Sequence, residues 1–223
     1  MEDEGQPITS YCNERQLGVA DRLRLFIDVC AAVAYAHARL VVHRDIKPSN
    51  VLVDAHGRVR LLDFGIAKLL GEDDAAGEDT RTGARLFSPQ YAAPEQALGE
   101  PVTTATDVHA LGTLLFVLLS GEHPYDLAGA TPAAALRTLA QTGPRRLSTT
   151  GAKFVHGGRS RSGVLRDLDA ICMKALERAP EDRYASAQQF ADDVARYLNG
   201  YPVHARLPTP RYRLGKFLRR NVA

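Results

Sequence analysis

The chain of 223 residues has no tryptophan and little cysteine. Its three cysteines, Cys12, Cys30 and Cys172, have neither the paired spacing of a zinc site nor the density of a disulfide framework. Cys30 and Cys172 fall in apolar helical patterns, where we expect buried thiols of a reducing compartment. The cysteine content therefore argues against a zinc-binding domain and against a small disulfide-stabilised secreted domain.

The sequence also lacks an apolar run long enough to cross a bilayer. The longest mostly apolar run, ALGTLLFVLLS at 110–120, has about half of the roughly 20 residues that a spanning helix needs, so it predicts a core helix. Acidic residues follow Met1 directly, which is unlike a signal peptide. We therefore expect a soluble chain in the cytoplasm.

Acidic residues are missing from the C-terminal end. The net charge of +2 is too small to indicate a nucleic-acid partner, but no acidic residue follows Asp193. Six basic residues then crowd the end of the chain: Arg206, Arg211, Arg213, Lys216, Arg219 and Arg220. This composition fits a segment on the cytoplasmic side of a membrane and equally an ordinary basic tail.

Hydrophobic periodicity predicts a mainly α-helical (α+β) lobe that holds a small β element. Helices are predicted over residues 20–40, 107–120, 131–141, 165–178 and 186–198. The segments NVLVD and AHGRVRLLD, at 50–63, predict two short strands around a His-Gly turn. Residues 64–87 and 143–163 have no sustained period and are predicted as surface loops.

The segment HRDIKPSN, at 43–50, places three groups that carry chemistry on a short loop. Asp45 and Asn50 could face a hydroxyl and a metal, and Lys47 could neutralise a phosphate. Asp63 ends the following apolar strand, and its carboxylate beside Asn50 would make the oxygen site that Mg²⁺ takes when it also binds phosphates. These residues predict a phosphoryl-transfer site, with Asp45 on the incoming hydroxyl.

Three motifs in this order carry a family resemblance. HRDIKPSN, DFG at 63–65 and APE at 93–95 resemble the catalytic loop, the metal loop and the end of the activation segment of protein kinases. Lys47 resembles the lysine of Ser/Thr kinases, and SPQYAAPEQ is similar to the bacterial, eukaryotic-like (Hanks-type) branch. The resemblance covers residues from about Ile8 to Leu198 and implies a kinase-like large lobe, helical with short β-hairpins around the catalytic and metal loops.

The resemblance also implies roles for single residues at the site. Asp45 and Lys47 are the implied catalytic residues. Lys47, Asn50 and Leu52 are implied to bind ATP, Leu52 as the floor of the adenine pocket. Asn50 and Asp63 are implied to bind Mg²⁺, with Mn²⁺ as an alternative, and the other substrate is a protein with a Ser or Thr hydroxyl.

A second set of residues is implied to regulate the loops. Arg44 implies a kinase whose activation loop is ordered by phosphate, and Thr80, Thr82 and Ser88 are the candidate acceptors. Ser88 also stands where the family usually has a threonine that braces the catalytic aspartate and lysine.

A third set is implied to be structural. Glu95 matches the family glutamate that pairs with a later arginine, here Arg183, and Asp107 matches the helix aspartate that holds the backbone of the catalytic loop. His43 is interpreted as a core histidine rather than a base. His109 is interpreted as a loop or surface residue.

Other parts of a working kinase are not found. The sequence has no G-x-G-x-x-G, and GIAK at 65–68 directly follows the metal aspartate, so it is not the strand lysine that contacts ATP. We therefore expect residues 1–15 to be hinge-like, 16–200 to form the large lobe and 201–223 to be a basic linker, with the small lobe absent.

The expected function is that of a serine/threonine protein kinase, which transfers the γ-phosphoryl group of ATP to protein hydroxyls. As a large-lobe fragment the chain is expected to be inactive alone. The alternative is a naturally truncated, non-catalytic module that binds a partner through its exposed lobe surface.

Overall fold

The computed structural model of the chain describes residues 5–63, 89–127, 129–150, 161–207 and 209–221. These residues form a helical lobe with one antiparallel sheet in the order β1-β2-β3. In chain order the elements are β1 (Gln6–Pro7), α1 (Ile8–Glu14), α2 (Val19–His37), β2 (Val51–Val53), β3 (Val59–Leu61), α3 (Pro94–Leu98), α4 (Thr104–Ser120), α5 (Pro132–Gln141), α6 (Arg161–Ala175), α7 (Ala187–Leu198) and α8 (Pro210–Asn221). The predicted mainly helical fold with a small β element is confirmed.

Side-chain caps fix where several helices begin. The Ser186 hydroxyl accepts a hydrogen bond from the Gln189 amide at 3.1 Å and starts α7 where the sequence predicts. The Thr103 hydroxyl accepts from the Ala105 amide at 3.2 Å, so α4 begins before the predicted residue 107. As a result the first turn of α4 carries Asp107.

The core lies between α2, α4, α6 and α7. Phe26 of α2 meets Phe190 of α7 edge to face, with ring centroids 5.1 Å apart. At the crossing of α4 and α6, a Cβ on Gly112 would lie 2.8 Å from the Cβ of Ala175. This crossing therefore requires glycine, because any side chain would push the two helices apart.

The N-terminal segment is packed into this core. Gln6 of β1 pairs with Val53 of β2, and Ile8 and Cys12 are fully buried. Arg22 is also buried, and its guanidinium donates to the carbonyl oxygens of Cys12 at 3.1 Å and of Leu118 at 3.2 Å, among others. The described part of the predicted hinge-like segment is thus bonded to the lobe, and a two-residue strand is too short for periodicity to predict.

The hairpin of β2 and β3 joins the two loops of the candidate site. At its turn the buried Asp54 accepts from the backbone amides of His56 and Arg58, each at 2.9 Å, and from the Arg58 guanidinium at 2.8 Å. The Arg58 amide, followed by these other donors, holds the pKa of Asp54 at about 2 against the opposing effect of burial. The carboxylate therefore stays ionised and fixes the turn.

Several predictions fall on residues that the structure does not describe. Phe64 and Gly65 of the DFG motif, the candidate phosphate acceptors Thr80, Thr82 and Ser88, and residues 151–160 lie outside the described residues. Within the described part of the chain, no helix combines the length and the apolar character that crossing a bilayer requires.

Candidate active site

A buried aspartate holds the loop that leads from α2 to β2. Asp107 accepts hydrogen bonds from the backbone amides of His43 at 2.8 Å and Arg44 at 2.9 Å, and its third contact is with the His37 ring nitrogen at 2.7 Å. The carboxylate is fully buried, so these charge-assisted bonds replace its hydration. The Asp107 carboxylate thus binds the backbone of the predicted catalytic loop.

Three of the predicted site residues come together on this loop. The Lys47 ammonium lies 2.8 Å from Oδ2 of Asp45. The Asn50 amide donates to the same oxygen at 3.1 Å and to the Asp45 carbonyl at 2.9 Å. Asn50 is buried, whereas Asp45 and Lys47 are only partly covered. A fixed carboxylate with a cation beside it is therefore presented at the surface of the lobe.

The end of β3 is tied to the same loop. The Leu62 amide donates to the Asn50 carbonyl at 2.9 Å, and the Leu62 carbonyl lies 2.9 Å from Nε2 of His43. These bonds bring Asp63, the next residue, to the loop that carries Asn50. The His43 side chain is buried and takes part in this packing, in line with its interpretation as a core histidine.

The donors on Asn50 and Asp63 are suited to a hard cation. Because the Asn50 NH₂ group faces Asp45, its side-chain oxygen is turned away from Asp45, and Asp63 is an exposed carboxylate. One amide and one carboxylate oxygen suit Mg²⁺, which commonly takes one or two protein ligands together with phosphate oxygens and water. The described residues contain no cluster of three or more His, Cys, Asp or Glu side chains that could hold a metal by themselves.

Left-handed backbone conformations occur at both loops. Arg44 has a φ of 67° and Asp63 a φ of 51°, in a region that residues other than glycine rarely occupy. Arg44 is fixed at both ends, because Asp107 accepts its amide and the Gln96 side chain donates to its carbonyl at 3.0 Å. Such strain clusters at functional sites when the surrounding structure enforces it.

Gln96 is a positioning residue that the sequence reasoning missed. Its Oε1 accepts the Ala93 amide at 3.1 Å at the start of α3, while its amide nitrogen binds the Arg44 carbonyl. It therefore links the APE segment directly to the predicted catalytic loop. In the sequence, Gln96 stands three residues after the N-cap residue Ala93, as in a capping box. Ala93, however, lacks the side-chain hydroxyl that usually marks this motif, so the pattern was not recognised.

Glu95 and Arg183 form the ion pair that the sequence predicts. The contact is bidentate, with Arg183 Nη1 at 2.7 Å from Oε1 and Nη2 at 2.8 Å from Oε2 of Glu95. Both side chains are buried, and Thr106 donates to Glu95 as well. Burial alone would raise the pKa of Glu95, but the Arg183 and Thr106 hydrogen bonds outweigh it and leave that pKa below its ordinary value.

The interpretation of His109 as a surface residue is wrong. His109 lies on α4, fully buried, with its ring stacked on Tyr125 at a centroid distance of 6.2 Å. Burial, helped by the charge of Arg183, lowers the pKa of His109 to about 3. The imidazole is therefore neutral, and the error arose because α4 is apolar or small on all sides, so its helical pattern marks no exposed face.

Leu52 is the remaining predicted contact of ATP. It lies in the middle of β2, opposite Arg60 of β3, and is half-buried while its neighbours Val51 and Val53 are buried. Because side chains alternate along a strand, Leu52 faces away from the core side of the hairpin. Its role as the floor of an adenine pocket stays a prediction.

A buried aspartate binds the backbone of the loop that carries Asp45, Lys47 and Asn50. This arrangement is typical of a protein kinase domain. The protein kinase domain family matches residues 4–194, and the chain belongs to this family. The match begins at residue 4, within the segment interpreted as a hinge (residues 1–15), and it does not confirm that only the large lobe is present.

Curated relatives are named as bacterial serine/threonine kinases. The chain is 33% identical over 183 residues to the serine/threonine-protein kinase PknB of Mycobacterium tuberculosis, covering 82% of this chain and 27% of that protein. It is 35% identical over 183 residues to the probable serine/threonine-protein kinase SCO3848 of Streptomyces coelicolor, covering 82% of this chain and 25% of that protein. The chain thus spans about a quarter of the length of these relatives.

Proposed function

We propose that this chain provides the catalytic groups for transfer of the γ-phosphoryl group of ATP to a serine or threonine hydroxyl of a protein. The observation that carries the proposal is the contact of Lys47 and Asn50 with one carboxylate oxygen of Asp45, at 2.8 and 3.1 Å. Membership of the protein kinase family and relatives named as serine/threonine kinases support it. A cytoplasmic location, where ATP is available, is part of the same proposal.

Asp45 has the central role in this proposal. Its carboxylate orients the incoming hydroxyl and accepts its proton as the oxygen attacks the γ-phosphorus, while the bond to the β-phosphate oxygen breaks and ADP leaves. The Asn50 amide fixes the rotamer of Asp45, and the Lys47 ammonium offsets the charge that builds up on the transferred group. Positioning and charge therefore account for the chemistry that the chain contributes.

Asn50 and Asp63 would hold Mg²⁺ or the similarly hard Mn²⁺. When bound, the metal neutralises phosphate charge and fixes the geometry of the nucleotide. Arg44 is proposed to bind a phosphate placed on Thr80, Thr82 or Ser88, which would order the activation loop.

We also propose that the 223-residue chain by itself binds Mg-ATP weakly. The sequence contains no glycine-rich phosphate loop, and those backbone amides are a main source of contacts to the phosphates in kinases. The alternative of a non-catalytic interaction module is not favoured by the relatives, which are named as kinases.

The direct test is transfer of labelled γ-phosphate to a serine/threonine protein substrate by the product that the gene makes in its own cells. Asp45→Asn should lower the rate by about 10²–10⁴-fold, the usual contribution of a positioned base. Asp192→Asn, which removes an exposed carboxylate of α7, is the matched control and should leave the rate unchanged. An unchanged rate with Asp45→Asn would show that the catalytic assignment is wrong.

Calorimetric titration of the 223-residue chain with Mg-ATP tests the claim about weak binding separately. We expect no binding at micromolar concentrations. Micromolar affinity that is lost in Asp63→Asn would refute the weak-binding claim and leave the assignment of Asp45 untouched.

A further inference from the structure

The segment that follows α7 folds back onto the lobe. Asp193 of α7 is fully buried and accepts the backbone amides of His204 and Ala205, the latter at 2.8 Å, together with the Tyr184 hydroxyl at 2.8 Å. Val203 is buried in the main core. The base of α8, within the segment expected to be a basic linker (residues 201–223), is therefore fixed by the lobe.

Helix α8 contacts the lobe through its polar side. The Lys216 ammonium lies 2.7 Å from the buried Asp167 carboxylate, and Arg206, just before the helix, binds the other oxygen of Asp167 at 2.6 Å. The Tyr212 hydroxyl, one turn before Lys216, accepts the Val203 amide at 3.0 Å. Positions 212 and 216 thus define the side of α8 that faces the lobe.

The apolar side of α8 faces away from that contact. Leu214, Phe217 and Leu218 have the i, i+3, i+4 spacing of one helix face and are 58, 54 and 49% exposed, and Leu207 before the helix is 85% exposed. An amphipathic helix of a globular domain normally buries its apolar face and leaves its charged face in water. Helix α8 has the opposite orientation, so about half of the surface of these apolar side chains remains accessible to solvent.

A basic groove lies beside this face. A cavity of about 550 Å³ opens between α8, the end of α7 and the segment before α8. Its lining includes three arginines, Arg196, Arg206 and Arg213, and the apolar side chains of Val203, Leu214 and Phe217. Guanidinium groups next to an apolar surface match an anionic headgroup attached to an apolar chain.

The charge of the whole segment selects among possible occupants. No acidic residue follows Asp193, and Arg211, Arg219 and Arg220 add to the basic residues of α8. A second copy of this chain would bring the same positive charges against each other, which opposes symmetric self-association through this face. A lipid surface with negative headgroups satisfies both the charge and the exposed apolar side chains.

We propose that α8 is an interfacial helix that binds the anionic surface of a lipid bilayer. Leu214, Phe217 and Leu218 lie among the upper parts of the acyl chains, and Arg213 at the groove binds a lipid phosphate. The Asp193 and Asp167 contacts hold the lobe next to the membrane. This inference does not depend on phosphoryl transfer.

The first test is co-sedimentation of the 223-residue chain with vesicles of phosphatidylcholine, with and without phosphatidylglycerol. Binding should require phosphatidylglycerol and fall as the salt concentration rises. The double variant Leu214→Ser/Leu218→Ser should lower the partition coefficient at least about tenfold, because two apolar side chains no longer enter the bilayer. Tyr35→Ser removes an exposed aromatic side chain of α2 and serves as the control that should bind normally.

A charge variant tests whether binding to the vesicles depends on contact between an arginine of α8 and the lipid headgroups. Arg213→Gln should weaken binding about fivefold, while Arg24→Gln, which makes the same change of charge on α2, should not. Failure of the wild-type chain to bind anionic vesicles, or equal binding of the Leu214→Ser/Leu218→Ser variant, would overturn the proposal. So would a wild-type dimer in solution that this double variant converts to a monomer.

Discussion

Two buried aspartates hold loops in the same way, and only one of the two loops carries the residues proposed to be catalytic. Asp107 of α4 accepts the amides of His43 and Arg44 and contacts the His37 ring. Asp193 of α7 accepts the amides of His204 and Ala205 and the Tyr184 hydroxyl. Each carboxylate is fully buried and contacts two consecutive backbone N–H groups and one polar group of an aromatic side chain.

The difference lies in what each aspartate presents. The loop on Asp107 carries Asp45, Lys47 and Asn50 and a strained Arg44, whereas the segment on Asp193 buries Val203 and positions α8. A buried carboxylate that accepts backbone amides is therefore a general means of fixing irregular chain. Function depends on the side chains of the segment that it fixes.

The largest effect is expected at a third buried carboxylate, Glu95, whose partner is a guanidinium. Glu95→Gln leaves Arg183 buried without its counter-charge, and the free energy of unfolding should fall by about 3–5 kcal/mol in urea denaturation. Glu122→Gln is the control, because the Glu122–Arg145 pair is exposed and should contribute less than about 1 kcal/mol. Equal effects of the two variants would mean that the buried pair is no stronger than a surface pair.

Asp107→Asn tests the loop that carries the proposed catalytic residues. An asparagine has one acceptor oxygen for the two amides of His43 and Arg44, so unfolding should become about 2–3 kcal/mol easier. Phosphoryl transfer should fall at least about hundredfold, because Asp45 loses its fixed position. Loss of stability with normal transfer would show that the Asp107 contacts are not needed to position Asp45.

Asp193→Asn makes the same chemical change at the other aspartate. It should also cost about 2 kcal/mol of unfolding free energy, while phosphoryl transfer changes by less than about twofold. The exposed neighbour Asp192→Asn should change neither quantity. A large loss of transfer in Asp193→Asn would contradict the separation of the two loops.

His109 gives a smaller effect that depends on pH. Its pKa of about 3 in the folded chain lies below the usual value near 6.5, so the unfolded chain binds the extra proton first as the pH falls. Its contribution to stability is therefore complete above pH 6.5 and lost towards pH 3, at up to about 1.4 kcal/mol per pH unit. In His109→Phe, unfolding free energies measured from pH 7 to 5 should decline less steeply than in the wild type, and parallel curves would refute the assignment.

The sequence predicted the helices, strands and caps that are determined by residues close together along the chain. The stripes of α2 and α7, the hairpin of β2 and β3 and the Ser186 cap follow from periodicity and capping rules. Motifs predicted the group of Asp45, Lys47 and Asn50 and, separately, the Glu95–Arg183 pair. Within each of these two groups the structure places the side chains in contact.

The missed features depend on contacts between distant parts of the chain. Gln96 reaches Arg44 across 52 positions, and His109 is buried by elements that its own helix does not reveal. Asp193 appeared in the sequence only as the last acidic residue before a basic tail. Its bonds to residues 204 and 205 could not be predicted, because an aspartate that accepts backbone amides has no periodic pattern.

Amide hydrogen exchange of both loops in both aspartate variants tests most directly whether each aspartate fixes its own loop. Asp107→Asn should speed exchange at His43 and Arg44 and leave His204 and Ala205 protected, and Asp193→Asn should give the reverse pattern. If either variant released both pairs of amides to the same extent, the two loops would be one cooperative unit. The account of two separate aspartate-fixed loops would then be wrong.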